Sequence, residues 1–150
     1  HPQERQRLID GPSLHAGAIE EVVRVYASIL SLGRTATKDT EVSGQKIKKG
    51  EMVMLSYAAA ARDPRHFEDP HTINIDRKIP TNIAFGYGPH RCIGSHLARL
   101  QAVTTLEEML RRLPDIRMAE GAEPEFSRST VTRDILTLPV EFTPGSKEGA

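Results

Sequence analysis

The chain holds one cysteine, Cys92, so no disulfide can form within it, and that usage fits a reducing compartment. It has no net charge: 20 Lys and Arg offset 20 Asp and Glu, which leaves no global field to draw in nucleic acid or an anionic membrane. Long apolar runs are missing too. A membrane-spanning helix needs about 20 consecutive apolar residues, and no run approaches that length. The first residues, His1 to Leu8, are polar and lack the apolar centre of a secretory leader. There is no internal repeat and no low-complexity tract. These absences argue against a disulfide scaffold, a bulk-charge nucleic-acid binder and a membrane span, and they point to a cytoplasmic chain. What remains is ordinary: 150 residues, 38% hydrophobic and 27% charged. That is one domain's worth of chain, and a compact chain of this length buries roughly 68–70% of its unfolded surface.

Periodicity predicts an α+β chain, mainly helical with small sheets. His1 to Ile9 reads as the end of a helix, broken by Asp10, Gly11 and Pro12. Ser13 is placed to cap a second helix. Its apolar stripe would be Ile19, Val22, Val23, Tyr26 and Leu30, with Gly33 ending it. Short strands are expected at Thr40–Val42, Lys46–Ile47 and Met52–Tyr57, turning at Gly44 and Gly50, then one helical turn at Ala58–Ala61. From Asp63 to His90 there is little periodicity and several prolines; an irregular stretch this long inside a domain is usually functional or disordered. A third helix follows Gly94. Leu97, Leu100, Val103, Leu106, Leu110 and Leu113 recur at helical spacing, and Pro114 stops it. The alternating run Ile135–Phe142 reads as an edge strand because of Pro139, and residues 145–150 as a frayed end.

The chemistry concentrates in Phe85-Gly86-Tyr87-Gly88-Pro89-His90-Arg91-Cys92-Ile93-Gly94. Here a glycine-rich loop delivers a cysteine to the start of a helix. Glycine lets the backbone bend and approach a flat ligand. The unpaired N–H groups and positive dipole end of a helix start favour thiolate over thiol. A thiolate so placed suits a nucleophile or a soft metal ligand. A zinc site from His90, Cys92 and His96 would lack a fourth soft ligand, and a cysteine nucleophile would need His90 or His96 as its base. Elsewhere, Glu21 and Arg24 stand one turn apart and can touch. On the polar side of their helix they read as a solvated pair of small energetic worth. His15, His66 and His71 read as exposed.

The loop resembles the haem-binding signature of the cytochrome P-450 family, F-G-x-G-x-H-x-C-x-G, at every fixed position, and it continues as Leu97-Ala98-Arg99. Glu21-Val22-Val23-Arg24 resembles the family's E-x-x-R element. Arg62-Asp63-Pro64 followed by Phe67-Glu68-Asp69-Pro70 resembles its irregular stretch in bacterial members. Ala61 stands where many relatives carry Asn, and Gln101 where Glu is common. The resemblance covers essentially all of residues 1–150. It implies the C-terminal, haem-binding part of that fold: the E-x-x-R helix, small strands, the irregular meander, the cysteine loop and the helix after it. The N-terminal part and the long distal helix would be absent.

Function follows from the resemblance as expectation. Cys92 would be the axial thiolate on haem b, with Arg34, Phe85, Gly86, His90 and Gly94 as further cofactor contacts, Arg34 and His90 toward the propionates. Glu21, Arg24 and Arg77 would form a buried structural cluster. The activity would be monooxygenation of a small organic substrate, contacted near Ser28–Leu32 and Ser129–Thr132. Electrons would come from a ferredoxin-like or flavin-containing reductase on the cysteine side. By itself the chain is expected to be inactive and prone to self-association. The other reading is a non-catalytic remnant of the family that folds or associates without turnover.

Overall fold

The computed structural model describes residues 1–145; the expected fraying beyond Gly145 lies outside the described residues. Helix α1 (Pro2–Asp10) starts with a proline near its first position, where a missing N–H costs nothing, and carries Glu4 in its first turn. A 3-10 turn, Pro12–Leu14, runs straight into α2 (His15–Tyr26). That continuity overturns the cap expected of Ser13. Leu14, the residue before α2, is already helical, and no side chain caps the helix.

The expected extension of α2 toward Gly33 is also wrong. The helix stops at Tyr26, and Ala27 turns left-handed at φ 30° while its N–H reaches Val23 O at 2.9 Å. Non-local pairing then takes the chain. Leu30 N–H donates to Val131 O at 2.7 Å, Arg133 N–H donates to Ser28 O at 2.8 Å, and Ile29 bridges Thr132. Strand β1 (Ser31–Thr35) pairs antiparallel with β4 (Met52–Ser56), Gly33 opposite Met54. Between them β2 (Thr40–Val42) and β3 (Gln45–Ile47) form a hairpin. Ser43 and Gly44 both have positive φ, the two-residue turn that matches strand twist. Helix α3 (Tyr57–Ala60) is one turn, with Ser56 Oγ accepting from Ala59 N–H at 3.3 Å.

The stretch from Asp63 to His90 is irregular as expected, apart from 3-10 turns at Ile83–Phe85 and Gly88–His90. Helix α4 (Ser95–Arg112) packs on α2 and α1. The single edge strand expected at Ile135–Phe142 is two strands in two sheets. β7 (Ile135–Thr137) pairs with β6 (Glu125–Phe126), and β8 (Val140–Glu141) pairs with β5 (Arg117–Met118). Pro139, which has no N–H to give a ladder, sits at the break.

Burial departs most from expectation. In α2 the buried positions are His15, Ala18, Glu21, Arg24 and Val25, while Val22 and Tyr26 of the expected apolar stripe face solvent. His15 is therefore not exposed: its ring meets Leu8 O at 2.9 Å and Glu107 at 3.4 Å. His66 and His71 are exposed. Among the described residues the buried hydrophobic side chains are few and mostly small, and the largest fully buried side chains are Arg24, Glu21 and Ser95. In α4 Leu110 is buried, but Leu97 is 59% and Leu100 64% exposed, and Ile93 just before the helix is fully exposed. The chain presents 11165 Å² to solvent. A compact 150-residue protein would present roughly 7,600 Å². The core is thus smaller than length alone suggests, and much apolar surface is left uncovered.

Candidate functional site

Two constellations lie on either side of α2. In the first, Glu21 and Arg24 are wholly buried and joined by a two-pronged ion pair, Nε to Oε2 at 2.7 Å and Nη2 to Oε1 at 2.8 Å. Arg24 also donates to the carbonyl oxygens of Ala61 (2.9 Å), Pro70 (2.8 Å) and Thr72 (3.4 Å), so its whole donor set is used. Its guanidinium lies 4.9 Å from the Phe67 ring centre. Glu21 Oε1 further accepts from Asn74 N–H at 2.9 Å and from Arg77 Nε at 3.1 Å. Burial alone would raise the Glu21 carboxyl's pKa, but the hydrogen bonds from Arg24, Asn74 and Arg77 outweigh it and hold the pKa below the ordinary carboxylate range. The solvated surface pair is excluded. Ala61 contributes its carbonyl here, so the absence of Asn at that position leaves this contact intact.

The second constellation is the cysteine loop. Asn82 starts it: buried, it accepts from Ala84 N–H at 3.3 Å and so opens the turn Ile83–Phe85. Gly86 follows with φ 75°. A side chain there would be strained and its Cβ would meet His90 O at 3.2 Å. The loop closes where Cys92 N–H donates to Phe85 O at 2.8 Å. Cys92 O in turn accepts from Ser95 N–H at 3.2 Å. The Cys92 side chain is exposed at the mouth of α4, with Gly94 the helix N-cap. Among the described residues no three His, Cys, Asp or Glu side chains converge on a metal position, so His90, Cys92 and His96 form no such group.

Arg34 lies on β1 and, among the described residues, its guanidinium donates locally to Gly33 O at 2.8 Å. It shares with His90 a recess of about 360 Å³, walled by Leu55, Tyr57, Ile83 and Tyr87. Those two residues, 56 positions apart in sequence, therefore face one space beside the loop. A larger recess of about 750 Å³ lies between α2, the meander and α4; Cys92 does not line it.

Sequence reasoning passed over Glu20, Asn82 and Ser95, and took Arg99 only as the end of the Leu97-Ala98-Arg99 match. Arg99 Nε and Nη2 grip the Glu20 carboxylate, and Asn82 Nδ2 donates to Glu20 Oε2 at 3.1 Å and to Glu20 O at 2.9 Å. Burial alone would raise the Glu20 pKa; the bonds from Arg99 and Asn82 bring it below its usual value. The available signal was thin: a second carboxylate beside Glu21, and an arginine at the end of Leu97-Ala98-Arg99.

Comparison with known proteins gives one answer. Residues 13–142 match the family model described as cytochrome P-450. The chain is 36% identical, over 97% of its length, to a steroid C26-monooxygenase of Mycolicibacterium smegmatis, of which it covers 36%. Its fold matches CYP109E1 of Bacillus megaterium solved with testosterone, at TM-score 0.89 and 34% identity, over 93% of this chain and 39% of that one. It also matches P450BioI solved with an acyl carrier protein bearing hexadec-9Z-enoic acid, at TM-score 0.91 and 34% identity, over 95% of this chain and 37% of that one. The chain thus spans little more than a third of the relatives it matches.

Proposed function

The chain belongs to the cytochrome P-450 family, and on that premise we propose that residues 1–150 form the proximal, haem-binding portion of a haem-thiolate monooxygenase. The family's cofactor is haem b, iron protoporphyrin IX. The observation that carries the reading is the Cys92 loop. An exposed sulfur that belongs to no cluster of three or more ligating side chains among the described residues would suit a metal that the haem itself brings. When bound, haem b supplies the O₂ chemistry, and a thiolate ligand donates the electron density that favours O–O cleavage.

The protein's part is to hold and orient. Cys92 ligates from a loop shaped by Phe85, Gly86 and Gly94. Arg34 and His90, facing one recess, bind the two propionates. Glu21, Arg24 and Arg77 hold the meander to α2 and take no part in chemistry. The reaction inserts one oxygen atom of O₂ into a small organic substrate. Substrate is met by residues 28–32 and 129–132, two stretches brought side by side by the bonds Leu30–Val131, Arg133–Ser28 and Ser31–Thr130. A ferredoxin-like or flavin-containing reductase docks on the cysteine side, in a cytoplasmic setting. No helix among the described residues is long and apolar enough to cross a membrane. As an isolated 150-residue polypeptide the chain does not turn over, because a monooxygenase needs a closed, water-excluding pocket.

Haem reconstitution tests the reading. The reduced carbon monoxide adduct should show the red-shifted Soret band of thiolate ligation, and Cys92→Ala should abolish it with little change in melting, because the side chain is exposed. An imidazole-type spectrum that persists in Cys92→Ala would overturn it. The remnant reading draws support from the exposed Ile93, Leu97 and Leu100. Tight haem binding by the parent with a thiolate spectrum would count against it.

A further inference from the structure

Both backbone polar groups of Cys92 are tied to residues that Arg99 touches. Cys92 N–H is held by Phe85 O at 2.8 Å, and the Arg99 guanidinium lies 4.4 Å from the Phe85 ring centre. Cys92 O is held by Ser95 N–H at 3.2 Å, and Arg99 Nη1 donates to Ser95 O at 3.2 Å. Arg99 does not reach these partners as a free side chain. Its Nε and Nη2 engage the two oxygens of Glu20 in a fork, which fixes the guanidinium plane as well as its position. Asn82 closes the circuit. Its amide holds the Glu20 carboxylate, and its carbonyl oxygen accepts from Ala84 N–H in the turn that ends at Phe85.

We infer that the Glu20–Arg99 pair, with Asn82, is a positioning device that fixes the Cys92 loop against α2 and α4. This rests on the haem-thiolate reading for its consequence, though not for its geometry. One planar cation meets the Phe85 ring of the loop, the Ser95 carbonyl at the start of α4 and the Glu20 carboxylate of α2. Losing the fork frees the ring and the helix start together, so the sulfur loses its direction. The device is separate from the Glu21 cluster. Successive residues on a helix point about 100° apart, and Glu21 faces Asn74 and Arg77 while Glu20 faces Asn82 and Arg99. Arg99 and Glu20 are positioning residues, because their contacts run to the Phe85 ring, the Ser95 carbonyl and the Asn82 amide.

The full chain carrying Arg99→Ala, Arg99→Lys or Glu20→Gln tests this with two readouts. Without haem, amide hydrogen exchange over residues 85–95 should quicken by about tenfold, while residues 68–77 around the Glu21 cluster stay protected. With haem, the fraction of the carbon monoxide adduct showing the thiolate band should fall. Arg99→Lys should not restore it, because lysine keeps the charge but loses the fork and the flat face. Unchanged exchange with an intact thiolate band in Arg99→Ala would overturn the inference, as would quickening spread equally over the whole chain or full rescue by Arg99→Lys. A parent that lacks the thiolate band while Arg99→Ala still loosens residues 85–95 would sink the haem reading and leave the positioning device standing.

Discussion

The two faces of α2 are built on opposite terms. Around Glu21 and Arg24 the donors and acceptors are met from within the chain and both ionised groups lie in the dry interior, with the half-buried Arg77 joining them at the edge. Around Cys92 the backbone is tightly closed, but the sulfur, Ile93, Leu97 and Leu100 stand in solvent. The first region is finished by these residues alone. The second leaves its sulfur and its apolar neighbours uncovered by these residues. Stability should therefore reside in the charged cluster, and ligand response in the loop.

The largest break in that contrast is Glu21→Ala. It would strand Arg24, a fully buried cation, and removing one partner of a buried pair typically costs about 3–5 kcal/mol. Denaturant melts should show a loss of that size or failure to fold. A variant that melts within a degree or two of the parent would mean that the cluster contributes little. Acid should probe the same contrast more gently. The native pKa values of Glu21 and Glu20 both lie below their ordinary values, so the unfolded chain binds protons first as pH falls. Their stabilisation is complete above the ordinary carboxylate range, roughly pH 4, and is lost as pH drops below it toward the native values. Glu21→Gln should flatten that acid limb. An unchanged limb would assign the pH dependence elsewhere. The smallest effect on folding belongs to the open face. Leu97→Ser with Leu100→Ser should change stability by no more than about 0.5 kcal/mol, as exposed substitutions do. The same pair should lower self-association measured by light scattering. A large stability loss there would show that α4's first turns are buried in solution.

The family was legible in residues 85–99, because a steric pattern of glycines around one cysteine is local and survives any context, and the α+β class was legible in the periodicity along the chain. Helices α2 and α4 were legible from spacing, α1 from the Asp10-Gly11-Pro12 break that ends it, and the β2–β3 hairpin from Gly44. Legibility failed wherever non-local contacts decided. The end of α2 is one case. Its apolar run continues to Leu30, but the backbone of residues 28–30 pairs with 131–133 instead. The splitting of Ile135–Phe142 is another, since β5 and β6 are two residues each and too short to show a period. Among candidate site residues, Cys92 stood out at once. Glu20 and Asn82 did not, because a carboxylate and an amide 62 residues apart carry no shared local signal.

The sequence by itself determined that a lone cysteine sits on a glycine loop at a helix start, for the backbone freedom of Gly86 and Gly88 is a property of the residues themselves. It also determined that Glu21 and Arg24 fall one turn apart. It could not say which side of α2 would be inside. Hydrophobic periodicity chose Ile19, Val22 and Tyr26, and the tertiary structure chose His15, Ala18, Glu21 and Arg24. The reason is physical. An irregular meander with few backbone partners of its own leaves the carbonyls of Pro70 and Thr72 and the N–H of Asn74 needing them. A buried carboxylate and guanidinium can satisfy those groups, and an aliphatic stripe cannot.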